Sequence, residues 1–291
     1  MNKVAANIKI LGCGDIGRRV ACLYLQQGNV PEGWVRSEIS LQAGQALGLK
    51  MQQIDADTDS TYSADDFYAS QVFWLMPPPD KGITDSRLRR FLNAVGATVE
   101  RIVLISTTGV YGDCQGRWID ESEPLKPHTD RAKRRVDAEQ ALHTWARRFG
   151  RQYVILRVPG IYALDRLPLE RLRRGEPVIN TSEAPWSNRI HADDLAMVCQ
   201  RAMEIAPTGA IYNTTDGFPS TMTDYFNQIA TYAGLPLPPQ ISLADAQNKL
   251  GAGILSYLQE SRRIHNDKLL QDLQLTLRYP SLASALQAAT S

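Results

Sequence analysis

The sequence predicts an α/β fold: a doubly wound parallel sheet with a smaller C-terminal lobe. Three observations carry this. Short apolar runs alternate with helix-period segments through the first two thirds of the chain. Several of those runs, such as Gln71–Met76 and Arg101–Ser106, are almost continuously apolar, as strands covered on both faces must be. The first run, Ile8–Leu11, ends directly in a glycine turn that opens a helix.

In chain order, a strand at Ile8–Leu11 leads to a helix at Gly17–Gln27. A weaker strand at Gly33–Val35, a helix at Leu41–Leu47 and a short strand at Met51–Ile54 follow. Gln71–Met76 is a buried strand stopped by Pro77, Pro78 and Pro79, because proline cannot extend a central strand. Asp85–Val95 is a helix and Arg101–Ser106 a second buried strand. Lys133–Phe149 is a long helix, with Ala138, Leu142, Trp145 and Phe149 on one face and Gly150 as its stop. Tyr153–Arg157 is a further strand. Beyond Pro159 the rhythm loosens into a charged helix at Leu167–Gly175, a helix at His191–Met203, a strand at Ala210–Asn213 and a helix at Thr223–Ala233. The last fifty residues read as small and helical. The expected division is residues 1–158, with 189–215 returning to them, and a smaller lobe from 159–188 and 216–291.

Composition narrows the functional class. The chain has 291 residues, with 32 Lys and Arg against 31 Asp and Glu. A formal charge of +1 argues against a general nucleic-acid or membrane-surface role, which needs a basic excess. No apolar stretch is long enough for a spanning helix. The N-terminus lacks the apolar core of a signal peptide, and the four cysteines are scattered without a CxxC pair, so a cytoplasmic protein with free thiols is expected.

The glycine turn is Gly12-Cys13-Gly14-Asp15-Ile16-Gly17, a GxGxxG placed between a strand and a helix. In that context the first glycine permits the tight turn and the second lets a pyrophosphate approach the backbone. The third lets the helix pack on the strand, and the helix start holds phosphate. A dinucleotide site is therefore expected. With NAD(H), the second strand should end in a carboxylate that bonds the ribose hydroxyls. Here it ends in Trp34-Val35-Arg36-Ser37, and Arg36 with Ser37 suits a 2′-phosphate instead, so the reading favours NADP(H) over NAD(H). Thr107, at the end of a buried strand, stands where open α/β sheets place ligands. His191, Asp193 and Asp194 read as core and helix-cap residues, and no metal site is expected.

Four further stretches give the chain a resemblance to the short-chain dehydrogenase/reductase superfamily, in its extended, NAD-dependent epimerase/dehydratase-like branch. They are Leu104-Ile-Ser-Thr-Thr-Gly-Val-Tyr-Gly112, Trp118-Ile-Asp-Glu-Ser-Glu-Pro124, Leu156-Arg-Val-Pro-Gly-Ile-Tyr162 and Arg189-Ile-His-Ala-Asp-Asp-Leu195. Their order and spacing match over roughly residues 8–215. The resemblance implies an oxidoreductase or epimerase acting on a small substrate, with nucleotide-linked compounds among the options, and a homodimer through helices 85–95 and 133–149. It implies cofactor contacts from Asp55, Leu75, Met76, Pro77, Pro159, Ile161 and Lys133. It also implies a Tyr-x-x-x-Lys pair, in which the ammonium lowers the phenol's pKa for proton transfer and a nearby Ser or Thr orients the substrate.

Thr107 matches that Ser or Thr. In Pro127-His-Thr-Asp-Arg-Ala-Lys133, Lys133 matches the Lys, and Thr129 stands where the Tyr belongs. The resemblance thus narrows to an atypical subgroup without the phenol, which Pro77-Pro-Pro79 also fits. His128, Tyr111 and Tyr162 are the nearby groups for the proton work, with Thr107, Lys133 and Tyr111 as the catalytic set. The alternative is a non-catalytic NADP(H)-binding regulatory or sensor protein.

Overall fold

The computed structural model describes residues 7–58, 62–249, 255 and 258–289. Seven strands form the central sheet: β1 (Asn7–Leu11), β2 (Glu32–Val35), β3 (Lys50–Gln53), β4 (Ser70–Trp74), β5 (Val99–Thr107), β6 (Gln152–Val158) and β7 (Ala210–Asn213). Their spatial order is β7-β6-β5-β4-β1-β2-β3, and every neighbouring pair is parallel. The order reverses between β1 and β4, which opens a crevice at their C-terminal ends, the place where such sheets bind ligands.

Helices α1 (Asp15–Gln26), α2 (Glu38–Gln45), α3 (Ser86–Val95), α4 (Asp130–Phe149), α5 (Leu169–Arg173), α6 (Ala192–Ile205) and α7 (Met222–Tyr232) complete the larger elements. The two faces of the sheet are covered by different pairs. Val20, Ala21 and Tyr24 of α1 and Leu195, Val198 and Cys199 of α6 pack with Ile10, Phe73 and Val103 on one face. Phe91 and Leu92 of α3 and Leu142 and Trp145 of α4 pack with Trp74, Ile102 and Leu104 on the other. Successive residues of β4 and β5 therefore enter opposite layers, which is why those strands read as apolar without alternation.

The boundaries differ from the sequence reading at two instructive points. Helix α4 starts at Asp130, earlier than expected, because the Thr129 hydroxyl accepts the Ala132 N–H at 3.2 Å and caps the helix. The charged helix expected at Leu167–Gly175 shrinks to Leu169–Arg173, because Pro168 forces Leu167 into an extended conformation. The C-terminal region is also less purely helical than expected. Short helices at Leu243–Lys249, Asp267–Asp272 and Leu282–Ala288 are joined by two-residue strands. Arg263–Ile264 pairs with Trp118–Ile119, and Gln240–Ile241 with Val178–Ile179. Strands so short leave no periodic signal. Tyr162, Leu172, Phe226, Ile229 and Leu282 form a further apolar cluster beside the sheet. Among the described residues, no helix is long and apolar enough to cross a membrane.

Candidate active site

The glycine turn takes the shape its spacing requires. The N–H groups of Gly12 and Cys13 both donate to the Trp34 carbonyl, at 2.9 and 3.1 Å, which ties the turn to β2. Gly12 has φ +90°, and a Cβ there would lie 2.7 Å from the Met76 nitrogen, so no larger residue fits. Gly14 is the opposite case: a Cβ there would meet nothing within 4 Å. That open space lies at the start of α1, where no side chain caps the first helical N–H groups. Free donors beside open space fit an incoming pyrophosphate. Cys13 is buried under the turn, and burial pushes its thiol up to about 12, so it is a packing residue. Asp15 and Ile16 form the first turn of α1, and the Asp15 carboxylate accepts from Arg19 at 3.0 Å and Arg166 at 2.7 Å.

At the outer end of the crevice, Arg36 is exposed just beyond β2. Ser37 is already engaged, since its hydroxyl caps α2 by accepting the Ser40 N–H at 3.3 Å. Asp55 shapes a turn by accepting the Asp57 N–H at 3.0 Å. Asp57 was not anticipated. Arg87 clasps its carboxylate through two 2.7 Å hydrogen bonds and holds it below the usual carboxylate range. Arg87 also donates to the Pro77 and Pro78 carbonyls, at 3.0 and 3.3 Å, so it fixes the proline loop after β4.

A cavity of about 480 Å³ opens at the C-terminal ends of β4, β5 and β6. Pro77, Thr107, Thr129, Pro159 and Ile161 all line it. Leu75 and Met76 lead into it from β4, and the Leu75 N–H bonds the Leu11 carbonyl at 2.8 Å. The Thr107 hydroxyl accepts the Gly109 N–H at 3.2 Å and so caps the short turn Thr108–Tyr111.

The remaining expected residues are not brought to the cavity. Lys133 points outward and pairs with Asp130 at 3.3 Å, both side chains substantially exposed. Tyr111 is fully buried; its hydroxyl donates to Asn213 at 2.7 Å and accepts from Arg157 at 2.9 Å. Burial pushes that phenol up to about 12, away from the range useful for proton transfer. The Tyr162 hydroxyl is buried without a hydrogen-bond partner, and burial raises its pKa as well. His128 is exposed, with its ring against Gly112.

Beneath the cavity lies a buried polar network that sequence reasoning missed. Arg157 on β6 and Glu139 on α4 form an ion pair at 2.8 Å, with side chains 4% and 6% exposed. Ser106, beside Thr107, donates to Glu139 at 2.5 Å. Such a pair is costly to half-remove and holds its partners in one arrangement. It clamps the end of β5 between α4 and β6. The only available signal was a charged residue at a core-facing helical position, Glu139.

The cavity walls are cationic. Arg131, Arg135, Arg189 and Arg262 line it, and among the described residues the one carboxylate lining it, Glu260, pairs with Arg262 at 2.7 Å. Arg189 is buried over the Tyr225 ring and donates to Ser220 at 2.9 Å. The first-turn residues of α6 behave as the sequence suggested. His191 caps the helix by accepting the Asp193 N–H at 3.2 Å, and Asp194 accepts the Arg278 and Tyr279 N–H groups at 2.7 and 2.9 Å. Among the described residues, no three His, Cys, Asp or Glu side chains gather to hold a metal ion.

The seven-stranded parallel sheet, with the glycine turn and the cavity at its strand ends, defines a Rossmann-type α/β fold. Residues 87–214 match the NAD dependent epimerase/dehydratase family. Over 289 residues the chain is 23% identical to Protein YeeZ of Escherichia coli K12, covering 96% of this chain and 97% of that one. A conserved protein of unknown function from Silicibacter pomeroyi superposes with a TM-score of 0.85 at 28% identity, covering 98% of both chains. UDP-glucuronic acid 4-epimerase from Bacillus cereus, in complex with NAD, superposes with a TM-score of 0.78 at 16% identity, covering 97% of this chain and 96% of the epimerase.

Proposed function

We propose that the protein is an NADP(H)-dependent oxidoreductase or epimerase/dehydratase-like enzyme acting on a small substrate held in the cavity at the ends of β4, β5 and β6. The observation that carries this reading is the open space at Gly14 beside the uncapped start of α1. In this reading Gly14 and the start of α1 would hold the pyrophosphate, Arg36 and Asp55 the adenosine end, and Pro77, Thr107, Pro159 and Ile161 the nicotinamide end. Bound nicotinamide supplies a hydride donor or acceptor. Thr107 orients the substrate oxygen from the turn that the Glu139 network fixes. The exposed guanidinium of Arg36, with no acid ending β2, favours the 2′-phosphate of NADP(H) over the ribose hydroxyls of NAD(H). Nucleotide-linked sugars are reasonable first substrates, since the Bacillus cereus neighbour is named for one.

A second reading, a non-catalytic NADP(H) sensor, is favoured by one observation: no tyrosine lines the cavity among the described residues. Titration with NADPH and NADH, followed by a panel of carbonyl compounds and nucleotide sugars, separates the two. The enzyme reading expects tighter binding of NADPH and turnover of at least one panel member. Arg36→Glu should weaken NADPH about tenfold, the size of one charge-assisted contact, and leave NADH nearly unchanged. Tighter NADH binding in the wild type would overturn the cofactor assignment. Saturable NADPH binding with no turnover across the panel would favour the sensor.

A further inference from the structure

A helix presents residues i and i+4 on one face and turns residue i+2 towards the other side. In α4 the members of such a pair that both line the cavity are Arg131 and Arg135. The pair expected from the sequence, Thr129 and Lys133, is split: Thr129 is the cap and Lys133 faces Asp130. The four-residue spacing of the Tyr-x-x-x-Lys pair is thus met at the cavity by two arginines.

Arg135 is the informative member. It is 8% exposed, and its Nη2 donates to the Met76 carbonyl at 3.3 Å. Its Nη1 is buried with no hydrogen-bond partner. The nearest carboxylate, Asp85, stands 3.9 Å away, beyond hydrogen-bond reach, and its facing oxygen is itself without a hydrogen bond. A buried guanidinium with an unused donor is expensive unless something anionic completes it. Burial lowers its pKa only to about 10, so it remains cationic at neutral pH. An arginine that never releases its proton cannot act as the base that a phenol can.

We infer that Arg131 and Arg135 form a fixed cationic subsite, at the place of the superfamily's proton-transfer pair, that binds a carboxylate or phosphate group of the substrate. Arginine's planar fork matches either group. The subsite is distinct from the pyrophosphate position at Gly14 and from Arg36, which serve the dinucleotide. The inference deepens the proposed function and rests on it for calling the ligand a substrate, but the anion subsite is testable without cofactor.

The test is isothermal titration with malonate, inorganic phosphate and uncharged malonamide, run on the protein alone and on NADPH-saturated protein. Malonate or phosphate should bind the NADPH-saturated protein, and malonamide at least about tenfold more weakly than malonate. Arg135→Gln should weaken the bound anion about tenfold or more while NADPH affinity changes less than about twofold, and Arg135→Lys should recover part of the loss. Arg131→Gln, at an exposed position, should weaken the same anion about threefold. Anion binding unchanged in both glutamine variants would overturn the inference. So would competition between the anion and NADPH, because the arginines would then be holding a cofactor phosphate. Arginine-dependent anion binding in a protein that binds neither NADPH nor NADH would support the subsite and remove the cofactor reading instead.

Discussion

The two ends of the crevice differ in how they meet their expected chemistry. At β1 and β2, the glycine turn keeps the tight turn, the open face and the uncapped helix start that phosphate binding needs. At β5 and α4, the reactive groups that the resemblance implies are not brought together. Thr107 lies at the strand end, and among the described residues the cavity is lined by arginines and by no phenol. Holding a dinucleotide depends on backbone shape, and proton transfer depends on one side chain of suitable pKa. The first is harder to lose by substitution than the second.

The largest test of that contrast concerns the frame beneath the cavity. Glu139→Ala leaves Arg157 buried without its carboxylate and removes the acceptor for Ser106. It should cost about 3–5 kcal/mol in urea unfolding, the usual penalty for breaking a buried pair. A loss under about 1 kcal/mol would mean that the network does not hold β5, α4 and β6 together.

Gly14→Val isolates the cofactor end. Its Cβ meets no neighbour, but its ψ of −142° lies outside the regions that L-residues favour, so the thermal midpoint should fall modestly beside the loss of binding. Dinucleotide affinity should fall about a hundredfold, or about 2.7 kcal/mol, because the side chain occupies the phosphate approach. Retained affinity, measured by fluorescence titration, would place the dinucleotide elsewhere.

Asp216 sharpens the comparison through pH. It is buried beside the Arg189 strand, its N–H bonding the Arg189 carbonyl at 2.8 Å, and burial raises its pKa to about 7. The folded protein therefore binds this proton more tightly than the unfolded chain does. The associated stability is complete below about pH 4 and is lost as pH rises through about 7. Asp216→Asn should flatten this fall and be more stable than the wild type at pH 8 by about 4 kcal/mol, with the gap closing at pH 4. Parallel unfolding curves for the two proteins at both pH values would contradict it.

The smallest expected effect is at Lys133. Its ion pair with Asp130 is exposed and one helical turn long, worth a few tenths of a kcal/mol. Lys133→Ala should change stability by less than about 0.5 kcal/mol and NADPH affinity by less than about twofold. A tenfold loss of affinity would restore Lys133 as a ribose contact and break the contrast drawn above.

Local patterns made much of this legible. The buried strands β4 and β5 declared themselves by continuous apolar runs, and α4 by the face of Ala138, Leu142 and Trp145, all three buried in the core. The site was legible only where function follows from the backbone, as at Gly12 and Gly14. Residue type and spacing could not say that Tyr111 turns inward to Asn213 and Arg157, because those partners lie 102 and 46 residues away. Nor could they say which of several basic residues at the start of α4 faces the cavity. That depends on the helix phase, which Thr129 sets by capping two residues before Arg131.

The sequence by itself determined the parallel α/β class, the glycine turn and the lack of an acid at the end of β2. Each is encoded within a few neighbouring residues, by hydrophobic period or by the steric freedom of glycine. Only the tertiary structure decided that Lys133 faces solvent, that Tyr111 belongs to a buried network, and that Arg135 lines the cavity while keeping a buried donor without a hydrogen bond. Those outcomes follow from helix phase and from partners far apart along the chain, which meet only when the sheet and its covering helices pack.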